Sequence, residues 1–266
     1  MLDRFNRNIN YLRISVTDRC NLRCLYCMPA EGVRLIRHED ILSYDEITAV
    51  TREAAAMGIN RVRVTGGEPL ARKGVTELIA MLAGISGITD LSMTTNGTML
   101  AEHADDLAAA GLMRVNISLD TLDPDKYRRV TRGGEIGDVL EGIIAAQNAG
   151  LRPVKINCVI KSTPDEEDAR MVAGFCMKEG LEVRFIREMD LAVGTFSVVH
   201  GGSGGHCARC SRLRLTPEGI VKPCLFSDIG YSIREMGAAE AIRRAVGNKP
   251  EKGTVNHING FYNIGG

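Results

Sequence analysis

The sequence carries no net charge. Its 33 basic and 33 acidic residues cancel, so no global field draws the chain onto nucleic acid or an anionic membrane. No apolar run approaches the roughly 20 residues that span a bilayer. The opening stretch, MLDRFNRNINYLRISV, mixes charges with apolar residues and lacks the uninterrupted apolar core of a signal peptide. These absences set the expectation of a cytoplasmic protein with neither a membrane nor a nucleic acid as partner. In that reducing compartment its eight cysteines are poor material for a disulfide framework, and their clustering points to metal or redox chemistry.

At 266 residues and 44% hydrophobic content the chain buries a substantial core, as one large α/β barrel or two ordinary domains. Short strand-like runs alternate with longer segments of helical period. The strand candidates are NYLRISV, RVRVT, DLSMTT, MRVNISLD, VKINCVI and EVRFIREM. Between them lie helical segments such as SYDEITAVTREAAAMG, with Ser43 and Glu46 as a capping box, and GDVLEGIIAAQNAG, ending on Gly150. Repeated βα units predict an incomplete, TIM-like (β/α)6 barrel with an open side. A boundary near residue 190 divides this barrel, residues 1–190, from a C-terminal extension, residues 191–266. In the extension GGSGG, 201–205, reads as a flexible connector, RLRLTPEGIVKPCLF as a hairpin, and the end as a glycine-rich tail.

Cys20, Cys24 and Cys27, spaced C-x3-C-x2-C, supply three thiolates directly after the first strand. Three are one short of a closed zinc site or a fully ligated cubane. A [4Fe–4S] cluster on three cysteines leaves one iron open to another ligand; a structural zinc with a distant fourth ligand is the alternative. Gly66 and Gly67 give backbone room where the second strand ends. Cys207, Cys210 and Cys224 form a second trio, C-x2-C-x13-C, which taken alone resembles a zinc ribbon lacking one ligand, with His206 beside it. Within it Arg212 and Arg214 share one face of a strand, a site for a polyanion such as a triphosphate. Cys158 and Cys176 sit among apolar neighbours as small buried hydrophobes.

CNLRCLYC, GGEPL (66–70) and TTNG (94–97), each at a strand end, resemble the motifs of the radical S-adenosylmethionine (SAM) superfamily. From LRISVTDRCNLRCLYCMP through RVTGGEPL, NISLD, VRFIREMD, CARCSRLRL and KPCLFSD to the terminal IGG, the chain is similar to the molybdenum cofactor biosynthesis cyclase family, the GTP 3′,8-cyclases. That resemblance implies two [4Fe–4S] clusters, one on Cys20, Cys24 and Cys27 and one on Cys207, Cys210 and Cys224. It implies SAM held by Tyr26, Gly66, Gly67, Glu68, Ser118 and Met189. GTP would be held by Arg13, Arg63, Thr94, Lys155, Arg212 and Arg214, with Arg61 and Arg184 as further cationic candidates. Arg212, Arg214 and the tail residues Gly265 and Gly266 form its catalytic set.

The implied reaction converts GTP to (8S)-3′,8-cyclo-7,8-dihydroguanosine 5′-triphosphate, the first step of molybdopterin synthesis: a SAM-derived radical takes hydrogen from ribose C3′, and the carbon radical attacks guanine C8. The implied partners are an external electron donor, a downstream pyranopterin-forming enzyme and a second copy of the chain. Two features depart from the family. The Asp190–His206 connection is shorter than usual, and Arg187 and Glu188 replace the more usual Glu and aromatic pair. Another nucleotide, a nucleoside or a peptide is the alternative substrate, and a structural zinc protein the alternative class.

Overall fold

The computed structural model describes residues 1–265; Gly266, one of the tail positions singled out above, lies outside the described residues. Six strands pair in parallel in chain order: β1 Tyr11–Ser15, β2 Arg61–Thr65, β3 Asp90–Thr95, β4 Arg114–Ser118, β5 Lys155–Ile160 and β6 Glu182–Arg187. All six candidate runs are strands. Their crossovers carry α1 Tyr44–Ala56, α2 Val75–Ala83, α3 Leu100–Ala109, α4 Pro124–Thr131, α5 Ile136–Asn148 and α6 Glu167–Lys178. The α1 capping box forms: Ser43 Oγ accepts from Glu46 N at 3.1 Å and Glu46 Oε2 accepts from Ser43 N at 2.7 Å.

The C-terminal segment joins the same sheet. β7 Arg212–Leu215 lies parallel to β1 on the edge opposite β2, and β8 Ile220–Lys222 and β9 Tyr231–Ser232 continue antiparallel. The order is β6-β5-β4-β3-β2-β1-β7-β8-β9, an open sheet and not a closed barrel. Beyond β9 follow α7 Ile233–Met236, α8 Ala238–Gly247 and α9 Phe261–Ile264. Leu213, Leu215, Val221 and Ile242 belong to the same apolar cluster as Leu12, Val62 and Met93, so one core serves both sides of residue 190.

Strand alternation sets which face is chemical. Leu12, Ile14, Val62, Val64, Leu213 and Leu215 are buried in that core. Tyr11, Arg13, Arg61, Arg63, Arg212 and Arg214 therefore fall on the opposite face. In register Arg13 stands between Arg63 and Arg214, and Tyr11 between Arg61 and Arg212. Like charges on adjacent strands, about 4.8 Å apart, repel one another. The row thus gathers three cations on one face of the sheet.

GGSGG is not a loose connector. A side chain on Gly201 would lie 2.6 Å from Val183 O, and one on Gly205 2.1 Å from Ser197 O. The segment is packed, Phe196 stacks on Phe226 with centroids 4.6 Å apart, and bridges tie His200 to Phe185 and Thr195 to Asp190. Small residues are required here by close packing, a reason invisible to a composition rule that reads Gly and Ser as flexibility.

Candidate active site

The first cysteine trio lies on the loop leaving β1. That loop is clasped by the one leaving β2, where Gly67 N donates to Thr17 O and Glu68 N to Arg19 O, both at 2.8 Å. A Cβ on Gly66 would meet Thr17 O at 2.6 Å, and one on Gly67 would meet Arg19 O at 2.3 Å. The room that these glycines free on their Cβ side is filled by the cysteine loop's own backbone, so glycine is required here by packing as well as by any contact of its backbone with a cofactor.

Glu68 is fully buried, and the chain itself satisfies its carboxylate. Oε1 accepts from Leu70 N (3.0 Å) and Thr95 Oγ1 (2.8 Å), and Oε2 from Asn96 N (2.7 Å). Burial outweighs these bonds and pushes its pKa up to about 7. Glu68 thus locks the β2 and β3 loops together. Asn96 then presents its amide to Cys20 Sγ at 3.8 Å and to Asn21 Oδ1 at 2.8 Å.

Tyr26 donates its hydroxyl to Asp120 Oδ2 at 2.8 Å, and Asp120 Oδ1 accepts from Val159 N at 2.8 Å. Neither Asn96 nor Asp120 carried a role in the sequence; both stand beside the cysteine loop at strand C-terminal ends, the reactive edge of βα folds. Ser118 ends β4 in register with Asn157. The thiols of Cys24 and Cys27 are pushed up to about 12, first by burial and then by neighbouring negative charge that includes Cys20. Such thiols become ligands only against a strongly cationic partner.

The second trio opens on a cavity of about 480 Å³ inside the open sheet. Arg13, Arg61, Arg63, Lys155, Arg184, Arg212 and Arg214 line it together with Cys207, Cys210 and Cys224. Met189, Phe196, Val199 and residues 202–206, His206 included, close one side. Thr94, Ser118 and the first trio are outside this lining. Thr94 stands next to Asn116 in register, and its buried Oγ1 has no hydrogen-bond partner among the described residues. With its amide oriented to accept, Asn116 takes two bonds from Arg63 at 3.0 Å, and Arg63 Nε donates to Ser92 Oγ at 3.2 Å.

Asp90 is the one carboxylate side chain in the lining among the described residues, and Arg61 and Arg114 hold it in salt bridges. Lys155 pairs with Glu182 at the rim. Burial lowers Arg63 and Arg214 to about 10, still cationic at neutral pH, and pushes Arg13 down as well. Cationic side chains thus outnumber carboxylates in the lining among the described residues.

Lys249, 1% exposed, lies against the second trio. Its Nζ donates to Arg212 O at 2.7 Å, to Pro223 O and to Cys210. Cys210 is lowered: burial raises it, and the Lys249 ammonium together with the Arg212 backbone N–H and guanidinium outweighs that. Arg7, paired with Asp3 at 2.6 Å, donates to Cys207 O at 2.9 Å and to Pro250 O at 2.7 Å. The tail enters the same face. Arg214 Nη1 donates to Ile264 O at 3.2 Å and to Gly265 O, and a Cβ on Gly265 would lie 2.5 Å from Thr65 Cγ2.

Among the described residues no three His, Cys, Asp or Glu side chains converge to hold a single metal ion. A tetrahedral zinc needs its thiolates within about 3.8 Å of each other, given Zn–S bonds near 2.3 Å. In a cubane each thiolate takes a different iron and they stand farther apart. Three cysteine thiols on one short loop are the donor type that an iron–sulfur cluster takes, and the first trio supplies them.

An open parallel βα sheet with three cysteines on the loop after its first strand is the layout of radical SAM proteins, and the sequence profile described as "Radical SAM superfamily" matches residues 14–176. Among solved structures, Streptococcus suis SuiB bound to S-adenosylmethionine superposes with a TM-score of 0.68 at 14% identity, over 89% of this chain and 64% of that one. Methylornithine synthase superposes with a TM-score of 0.58 at 15% identity, over 95% and 77%. At these identities the likeness is one of fold.

Curated relatives are nearer. The GTP 3′,8-cyclase of Geobacter sulfurreducens is 41% identical over 304 aligned positions, covering 95% of this chain and 93% of its own. That of Moorella thermoacetica is 44% identical, covering 94% of each. The chain belongs to the radical SAM superfamily and, within it, to the GTP 3′,8-cyclase family. The alignment with the Geobacter relative runs longer than the 266 residues here, so that relative carries residues this chain lacks. No helix among the described residues is long and apolar enough to cross a membrane.

Proposed function

We propose that this chain converts GTP to (8S)-3′,8-cyclo-7,8-dihydroguanosine 5′-triphosphate, using one [4Fe–4S] cluster on Cys20, Cys24 and Cys27 with SAM and a second on Cys207, Cys210 and Cys224. The single observation that carries this reading is the cavity, where the second trio faces Arg13, Arg63, Arg212 and Arg214 in a space of about 480 Å³. When bound, the first cluster and SAM supply an electron and a hydrogen-abstracting radical, so an external one-electron donor belongs to the scheme.

The chain's own residues do the rest. The cross-strand row Arg63, Arg13 and Arg214 grips the phosphates, where charge-assisted bonds are about twice as strong as neutral ones. Arg61 and Lys155, both tethered to carboxylates, stand at the flanks. Arg214 also holds the Ile264 and Gly265 carbonyls, which brings the tail to the substrate and keeps water from a reactive carbon. Phe196 and Val199 wall the cavity toward the 190–206 segment. Tyr26, tied to Asp120, and Asn96, on Cys20, orient the first cysteine loop. Product leaves for a pyranopterin-forming enzyme.

Anaerobic reconstitution with SAM, a reductant and GTP tests the proposal. 5′-Deoxyadenosine and the cyclised nucleotide should appear in step, and Arg212→Ala with Arg214→Ala should abolish turnover. Cleavage of SAM with GTP untouched refutes the substrate.

A further inference from the structure

Tyr11 occupies the centre of the cationic face and has no part in the scheme above. Its position follows from the strand order: β1 runs between β2 and β7, so Tyr11 is in register with Arg61 on one side and Arg212 on the other. The guanidinium carbons of Arg61, Arg63 and Arg212 lie 4.9, 5.7 and 5.8 Å from the ring centroid. All three are in cation–π range, which fixes the ring and uses its face.

The hydroxyl is a separate matter. Tyr11 is 5% exposed and lines the cavity, yet its Oη has no hydrogen-bond partner among the described residues. Buried Tyr hydroxyls usually find a partner, and leaving one unmade is costly. The neighbours explain why none is found among the described residues. Guanidiniums carry five donors and no acceptor, and here they stack on the ring, so the phenolic hydrogen meets nothing that accepts it. Burial alone would raise the phenol's pKa; Arg63, Arg13, Arg212 and Arg61 instead hold it below its ordinary value, which makes it a stronger donor. The chemistry that completes this pocket is an oxygen bearing negative charge.

We propose that the Tyr11 hydroxyl donates a hydrogen bond to the phosphate chain of the nucleoside triphosphate, while its ring holds Arg61 and Arg212 apart as the two walls of that subsite. The inference rests on reading the cavity as a GTP site and adds to it a neutral donor among the cations. A neutral donor has a purpose where several guanidiniums already stand: it contributes a directed bond without adding to their mutual repulsion.

Equilibrium dialysis on the anaerobically reconstituted protein tests this with GTP, inorganic tripolyphosphate, guanosine and SAM as probes. Tyr11→Phe keeps the stacked ring and removes only the oxygen. GTP and tripolyphosphate should bind about tenfold more weakly, with guanosine and SAM affinities as in the unsubstituted protein and a ligand-free melting temperature no lower than its own. Tyr11→Leu, which also removes the ring, should weaken both phosphate ligands further. Binding of GTP and tripolyphosphate to Tyr11→Phe within twofold of the unsubstituted protein overturns the inference and leaves the GTP site standing. A loss confined to guanosine overturns it in favour of a contact to the base. An unsubstituted protein that binds neither GTP nor tripolyphosphate overturns the substrate reading itself and this inference with it.

Discussion

Replacing Gly67 by alanine separates two accounts of why glycine stands there, room for a ligand or room for the cysteine loop. The added Cβ would lie 2.3 Å from Arg19 O, 2.7 Å from the Arg19 carbonyl carbon and 3.0 Å from Asp18 O. Ordinary carbon contacts begin near 3.5 Å, so the Arg19 peptide must retreat by about 1 Å. Two 2.8 Å backbone bonds are strained as it does, Gly67 N to Thr17 O and Glu68 N to Arg19 O. Overpacking of this kind costs about 1–3 kcal/mol and each weakened bond about 0.5–1.5 kcal/mol, for a total of roughly 2–6 kcal/mol. At about 2–4 °C per kcal/mol for a chain of this size, melting should fall by at least several degrees.

The displaced residue precedes Cys20, so iron should fall selectively. After anaerobic reconstitution about eight irons per chain should drop to about four. Gly174 on α6 is the control, since nothing lies within 4 Å of its Cβ position. Alanine there should stabilise by about 0.5–1 kcal/mol and leave iron unchanged. A Gly67→Ala protein with full iron, an unchanged melting temperature and weakened SAM binding alone would refute the packing argument.

Three further outcomes are expected. Glu68→Ala strands three donors, Leu70 N, Thr95 Oγ1 and Asn96 N, and at about 1–3 kcal/mol each it should cost several kcal/mol in denaturant titration. Lys249→Met leaves the Arg212 and Pro223 carbonyls unpaired; iron analysis of the Cys20→Ala, Cys24→Ala, Cys27→Ala background with and without it should show loss from the second trio. Asp3, buried against Arg7, has its pKa lowered: burial acts to raise it and the bonds from Arg7 and Phe5 outweigh that. A carboxylate lower when folded than unfolded stabilises above about pH 4 and loses that contribution as pH falls, so Asp3→Asn should unfold with a shallower dependence on acid.

The strands were legible because each is a short β-branched run between helical periods, and RVRVT and RLRL announce a charged face by simple alternation. Pairing was not legible in the same way. That Arg13 stands between Arg63 and Arg214 depends on β7 returning to the far edge of β1, a contact some 200 residues apart in sequence that no local pattern encodes. Spacing identified the cysteines but not what surrounds them. Asn96 and Asp120 sit inside the quoted motifs TTNG and NISLD, but a motif does not say what each touches, and nothing in the neighbourhood of Lys249 distinguishes it. GGSGG misled for a related reason, since glycine marks both freedom and crowding, and only the atoms 2.1–2.6 Å from an imagined Cβ tell which.

The central claim is that the cavity holds GTP with its ribose open to a SAM-derived radical. GTP deuterated at C3′ tests it most directly, by the mass of the 5′-deoxyadenosine formed in the anaerobic reaction. The account predicts transfer of one deuterium into 5′-deoxyadenosine together with the cyclised triphosphate. Unlabelled 5′-deoxyadenosine, formed while the nucleotide keeps its deuterium, would contradict it.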